Sequence, residues 1–328
     1  MNPDLLIAAL DRIPDPVTGK GLVEAKRVAA PRVREGVATL VLSLDGLPGL
    51  AVAELPAEIE RAARAVPGIS DVRIVKTSER RQMRFVAVAS GKGGVGKSTV
   101  AANLAVALAR QGHTPGLIDA DIHGPSVPTL LGQKHSRATA IDKRLQPIEA
   151  FGVKALSIGF LVDPDRAIAW RGPMVAGALQ QMITDADWGN SDPIILDLPP
   201  GTGDIQLSII QKHRPAGAVI VSTPQDLALI DAKRAIDLFR QTDVPIIGLV
   251  ENMSGYVCPH CGEVSNPFGR GGAEDICAAL SVPFLGRVPL DIAIRESSDA
   301  GLPVAAGDGP QAEAFHAIAR KVAAYLGD

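Results

Sequence analysis

Apolar residues are spaced differently in the two parts of this chain. Near the start, Leu6, Leu10 and Ile13 recur at helical spacing, and Gly36–Leu44 is a β-rich run apolar on both faces. Leu55, Ile59 and Ala62 mark a second short helix, and Asp71–Val75 reads as a closing strand with Val72 and Ile74 on one face. This pattern predicts a small α/β domain over residues 1–75. The segment 76–84, KTSERRQMR, is polar and basic and reads as a linker.

From Phe85 the pattern changes. FVAVAS is a short buried strand that runs straight into a glycine-rich loop. A helix follows from about Lys97 to Gln111, with Val100, Leu104 and Leu108 along one stripe. PGLIDAD, PIILDLP, GAVIVST, PIIGLVE and PFLGRV are further strands, most with helical patterns between them. The alternation predicts a second α/β domain over 85–328, a mostly parallel sheet covered by helices on both faces. Ligands of such sheets sit at the carboxyl ends of the strands. The glycine-rich loop, Asp119, Asp197 and Asn252 all fall at those ends and so can converge.

The loop itself is GKGGVGKST, Gly91–Thr99. Gly91, Gly96, Lys97 and Ser98 fit the spacing of a phosphate-binding loop, which makes the larger domain a P-loop NTPase. Gly93, Gly94 and Gly96 let the backbone curl so that its N–H groups, Val95 and Thr99 included, face an anion. Lys97 then meets the β- and γ-phosphates of ATP, and the Ser98 hydroxyl meets Mg²⁺. A second lysine, Lys92, is more than one phosphate tail needs, and suits the nucleotide of another subunit. Asp197, ending an apolar strand, reads as the main Mg²⁺ carboxylate, with Asp119 in the Mg²⁺ shell and Asp121 positioning the attacking water. In PPGTGD, Gly201 can offer its N–H to a phosphate oxygen and the loop can rearrange with nucleotide state.

Composition narrows the setting. A net charge of −3 and 3% aromatic residues disfavour a dedicated nucleic-acid binder. No apolar run approaches a membrane span, and the acidic, proline-containing start does not read as a signal peptide. The expected compartment is the cytoplasm, where cysteine pairs serve metal or redox chemistry. Cys258 and Cys261 form CPHC, followed by loop residues rather than a helix, which argues against a thioredoxin-type thiol. Cys277 lies in an apolar helical pattern and reads as buried and structural. A four-thiolate site therefore needs Cys258 and Cys261 from each of two chains, as a homodimer would supply. These thiolates suit Zn²⁺ or a [4Fe–4S] cluster equally.

Taken together, GKGGVGKSTVAANLA, DADIHGPSVPTLLG, WRGPMVAGALQQM, DLPPGTGDIQLSIIQ, ENMSGYVCPHCG and the region around FGRGGAE resemble the Mrp (ApbC/Nbp-type) iron–sulfur cluster carrier ATPases. These belong to the deviant Walker A class that includes MinD, ParA and the nitrogenase iron protein. DPVTGKGLVEAKRV is similar to the opening of the small iron–sulfur-assembly domain often fused ahead of them. No cysteine occurs in the first 75 residues, so the resemblance carries no cluster-ligating role to that domain. The resemblance implies that Lys92 reaches a partner's nucleotide and that Asn252 contacts adenine. It also implies that Cys258 and Cys261 hold a labile [4Fe–4S] cluster, received from scaffold or donor proteins and passed to apo iron–sulfur proteins. A partitioning or positioning switch of the ParA/MinD kind is the alternative. It needs a DNA surface or membrane anchor, and the C-terminal QAEAFHAIARKVAAYLGD reads instead as a docked helix.

Overall fold

The computed structural model describes residues 3–45, 47, 49–77, 83–122, 124–161, 172–258 and 260–327. The chain divides into two compact units, Met1–Gln82 and Met83–Asp328. Within the resemblance motifs, His123, Trp170, Arg171 and Pro259 lie outside the described residues, as do residues 78–82 of the predicted linker.

The first unit contains α1 (Pro3–Leu10), β1 (Val28–Arg34), β2 (Val37–Ser43), α2 (Gly49–Arg64) and β3 (Asp71–Thr77). Its sheet order is β1-β2-β3, antiparallel then parallel. Glu35 and Gly36 both have positive φ, 51° and 82°, as a two-residue hairpin turn requires to match strand twist. The Gly36–Leu44 run buries only one face: Ala38, Leu40 and Leu42 pack with Leu6, Leu10, Leu55 and Ile59 while Thr39 stays exposed. The second helix is longer than its apolar spacing suggested, and Ala63 rather than Ala62 is its fully enclosed alanine. β1 carries Pro31 and two arginines, an edge-strand composition with little apolar signal. β3 continues through Lys76 and Thr77.

The second unit runs β4 (Phe85–Ala89), α3 (Lys97–Arg110), β5 (Gly116–Asp119), α4 (Val127–Leu130), β6 (Ala140–Ile141), β7 (Arg144–Leu145), β8 (Ile148–Ala150), β9 (Val153–Ser157) and α5 (Ile158–Leu161). Next come α6 (Gly172–Thr184), β10 (Ile194–Asp197), α7 (Asp204–His213), β11 (Gly217–Ser222), α8 (Asp226–Gln241) and β12 (Ile246–Glu251). The chain ends with β13 (Tyr256–Val257), β14 (Val264–Ser265), α9 (Gly272–Leu280), β15 (Phe284–Arg287), α10 (Ile292–Asp299) and α11 (Pro310–Leu326).

Eight strands form one sheet in the order β15-β12-β11-β4-β10-β5-β9-β8. Every neighbouring pair is parallel except β8–β9 at the edge. Strand alternation sorts the core into two layers. Val86 and Val88 face α3 and α11, whereas Ala87 and Ala89 face the layer built from α6, α7, α8 and α9. α3 is enclosed along almost its whole length because α11 covers it, burying Phe315, Ile318 and Val322. The apolar face of the C-terminal helix is thus spent on the core. Arg84, the last residue of the predicted linker, is anchored: its side chain and N–H donate to Asp192, and Nη1 donates to the Leu326 carbonyl at 2.6 Å.

Candidate functional site

The phosphate loop spans the gap between β4 and α3, at the carboxyl end of a central strand. Gly94 and Gly96 adopt φ of 81° and 78°, a left-handed conformation that favours glycine. Gly91 packs so closely on the Asp231 carbonyl of α8 that a methyl group there would overlap it. Among the described residues, the N-terminus of α3 has no side-chain cap, which leaves backbone N–H groups for an anion. A cavity of about 270 Å³ lies over them. Lys92, Gly93, Gly94, Gly96, Lys97, Ser98 and Thr99 line it, with Ser90, Asp121, Ser126, Leu130 and Pro200. Val95 is buried behind it.

The three acids take different positions. Asp121 lines the cavity, while Asp119 and Asp197 are fully buried behind it. Lys97 Nζ donates to Asp197 Oδ1 and lies 3.3 Å from Ser98 Oγ. Asp197 Oδ2 is buried without a hydrogen-bond partner among the described residues. An orphaned carboxylate oxygen beside a serine hydroxyl is a hard-oxygen donor set that fits Mg²⁺. Burial pushes the Asp197 carboxyl up against the opposing pull of Lys97. Asp119, read above as part of the Mg²⁺ shell, spends both oxygens on the protein here. Oδ1 accepts the Asp121 N–H at 3.2 Å, and Oδ2 accepts the Val127 N–H at 3.1 Å and the Ser157 hydroxyl at 3.0 Å. Burial, followed by repulsion from Asp197, pushes Asp119 up to about 7.

Two other residues read as nucleotide contacts hold the loop itself. The Gly201 N–H donates to the Ser90 carbonyl at 3.1 Å, drawing the PPGTGD turn onto the end of β4. Asn252 Nδ2 donates to the Val95 carbonyl at 2.8 Å, and the Asn252 N–H donates to Ser222 O at 2.8 Å.

The cysteine pair sits elsewhere on this unit. β13 and β14 form a hairpin in which Val257 pairs with Val264, and Cys258, His260 and Cys261 lie at its tip. The Cys258 N–H donates to Glu263 O at 2.9 Å, and the Gly262 N–H donates to Cys258 O at 2.8 Å. Cys258 is half-buried and Cys261 exposed. Hydrogen bonds from the backbone N–H groups of Cys261 and His260 hold the Cys258 thiol below its ordinary range. Cys277 is buried in α9, and burial pushes its thiol up to about 11. Among the described residues no three His, Cys, Asp or Glu side chains form a metal-binding group. The hairpin thus presents two thiols, half of a four-thiolate ligand set.

A family model described as NUBPL iron-transfer P-loop NTPase matches residues 81–323. The chain belongs to that family. A second model, described as iron–sulfur cluster assembly protein, matches residues 4–75. An iron–sulfur cluster carrier protein from Deinococcus radiodurans is 43% identical, over 98% of this chain and 95% of the relative. One from Escherichia coli K12 is 47% identical over 78% of this chain and 67% of the relative. Among solved structures, a nucleotide-binding protein from Archaeoglobus fulgidus, in complex with ADP, aligns with a TM-score of 0.62 and 39% identity. That alignment covers 71% of this chain and 91% of the other. MinD from Pyrococcus horikoshii aligns with a TM-score of 0.57 at 24% identity, over 75% and 98% of the two chains, a likeness of fold.

In this member of the iron-transfer NTPase family, the supporting residues were harder to read than the motif. Ser157 orders Asp119 from the end of β9, a strand not predicted because Lys154 interrupts the apolar run of VKALS. Asp231 and Glu251 left no local signal. Their roles depend on a helix and a strand packing beside the loop and hairpin segments.

Proposed function

We propose that this chain is a homodimeric ATPase that holds a [4Fe–4S] cluster between Cys258 and Cys261 of two copies and passes it to apo iron–sulfur proteins. The observation that carries this reading is the hairpin tip. It presents two thiols together, one of them favoured as thiolate, and half the ligands of a four-thiolate site. The names of the carrier relatives favour an iron–sulfur cargo over zinc. A scaffold or donor protein supplies the cluster, and the cytoplasm is the compartment.

ATP is the substrate of the phosphate-loop cavity. Lys97 meets its phosphates, and Lys92 meets those of the partner's nucleotide, as a cation supplied in trans. Ser98 and Asp197 hold Mg²⁺, which supplies charge neutralisation at the phosphates. Asp121 faces the cavity to position water, and Asp119 fixes the backbone that carries it, acting on the metal shell from behind. Gly201 and Asn252 exchange their present backbone partners for the nucleotide, Asn252 at adenine. A membrane-switch role is less well supported: α11 buries its apolar face, and no helix among the described residues is long and apolar enough to cross a membrane.

Anaerobic reconstitution with iron and sulfide, run with and without ATP, tests this. Wild type is expected to give iron–sulfur absorption and about four irons per dimer. Cys258→Ala with Cys261→Ala is expected to lose both. Equal iron in the double variant would sink the carrier reading.

A further inference from the structure

Asn252 and Cys258 stand at two ends of one short segment that is braced along its length. At the phosphate-loop end, the Asn252 amide holds the Val95 carbonyl and sits so close to Gly96 that a methyl group there would overlap it. In the middle, the Ser254 N–H donates to Val288 O at 2.9 Å, and its hydroxyl donates to Glu251 Oε1 at 2.6 Å. Glu251 is fully buried and accepts from Arg287 Nε at 3.1 Å and from the Ala273 N–H at 3.3 Å. The segment is thereby tied to β15 and to the start of α9. At the thiol end, Gly255 O accepts the Leu290 N–H at 2.9 Å, and Tyr256 enters the cysteine hairpin. Met253 holds φ of 58°, a conformation that persists in a non-glycine residue only when its surroundings enforce it.

We propose that Ser254, held by Glu251, is a positioning residue that sets the cysteine hairpin according to the state of the phosphate loop. The inference rests on the proposed nucleotide and thiol roles. Nucleotide in the loop draws the Asn252 amide from the Val95 carbonyl towards adenine, and the backbone of residue 252 shifts with it. Pinning Ser254 to Glu251 and Val288 keeps residues 253–255 from absorbing that motion, so it reaches Cys258. Hydrogen-bonded, packed elements transmit such shifts because they have discrete arrangements rather than continuous ones. Nucleotide occupancy is then read at the thiols within one chain, before any change in dimer geometry.

Two measurements on the full chain test this, each with and without a non-hydrolysable ATP analogue. One is hydrogen exchange of the Tyr256–Ser265 amides, and the other is the rate at which a chelator removes iron from reconstituted protein. In wild type the nucleotide is expected to change both rates by about 5-fold or more. Ser254→Ala is expected to keep nucleotide affinity and iron content and to stay folded with a somewhat lower melt, while the ratio with and without nucleotide falls to about 1. Ser254→Thr, which restores the hydroxyl, is expected to recover the ratio. A wild-type ratio in Ser254→Ala overturns the proposal, as does hairpin exchange in wild type that ignores nucleotide. Hairpin exchange that responds through Ser254 in a protein that takes up no cluster supports the relay and rejects the carrier reading.

Discussion

Lys97 and Asp197 form an ion pair closed off from water, with Nζ on one carboxylate oxygen and the other oxygen unpartnered among the described residues. The lysine proposed to meet phosphate and the carboxylate proposed to hold Mg²⁺ thus neutralise each other. Each holds the other's charge in a site too dry to leave either alone. Removing one partner of a buried pair costs about 3–5 kcal/mol. Lys97→Ala should therefore lose nucleotide binding and also melt earlier than wild type with no nucleotide present. Unchanged melting would mean that the pair is not formed in solution.

Much of this site was legible because its chemistry is local. A glycine-rich loop, a lysine and a serine are contiguous, and Asp119 and Asp197 each end a recognisable apolar run, with Asp121 two residues beyond the first. What stayed hidden depends on partners far along the chain. Asn252 contacts Val95, and Ser157 contacts Asp119; neither pairing follows from periodicity. The edge hairpin β8–β9 was hidden for another reason. Only Val153, Ala155, Leu156 and Ser157 of it are fully buried, so IEAFGVKALS lacks the long apolar run of a central strand. β1, half exposed and holding Pro31, escaped in the same way.

The three thiols should separate by reactivity. Backbone N–H groups of Cys261 and His260 favour the Cys258 thiolate, and the thiolate is the nucleophile. Cys277 is buried with its thiol pushed up to about 11. Pulse alkylation of the apo protein near neutral pH, read by peptide mass spectrometry, should label Cys258 first, Cys261 afterwards and Cys277 only on unfolding. Equal labelling of Cys258 and Cys277 would contradict the hairpin geometry.

Asp15 makes the small unit acid-sensitive. Burial pushes its carboxyl up, but the Arg27 guanidinium at 2.6 Å and hydrogen bonds from Thr18 and Val17 outweigh this and bring it from 3.8 to about 2. The folded form holds its proton less tightly than the unfolded chain. Its stabilisation is therefore complete above pH 3.8 and is lost as the pH falls through about 2. The shift corresponds to about 2 kcal/mol. Asp15→Asn should speed hydrogen exchange across residues 13–28 at pH 7, with the difference from wild type closing at strongly acid pH. A difference that persists there would point to lost shape rather than lost charge.

Lys92 lines the cavity without belonging to the contiguous Gly96-Lys97-Ser98 core proposed to meet the phosphates. If it serves the partner's nucleotide, Lys92→Ala should bind ATP about as tightly as wild type. Hydrolysis should fall by about 10³-fold, the lower end of what a cation supplied in trans contributes. Mixing Lys92→Ala with a hydrolysis-deficient Asp121→Ala protein should restore part of the rate, because a mixed dimer has one complete site. Failure of the mixture to recover activity would place Lys92 in its own chain's site.

Two glycines of one loop should behave differently under the same substitution. A methyl group on Gly91 would overlap the Asp231 carbonyl, a backbone atom of α8 that cannot rotate away. At Gly93 the nearest atom to such a methyl is Pro200 Cβ at 3.9 Å, an ordinary contact. Overpacking of the first kind costs about 1–3 kcal/mol. Gly91→Ala should therefore lower the melting temperature of nucleotide-free protein, and Gly93→Ala should leave it near wild type. Activity alone cannot make this distinction, since both residues lie in the phosphate loop and both variants can impair it. Melting reads whether α8 has had to move, and a stable Gly91→Ala protein would mean that α8 does not press on the loop.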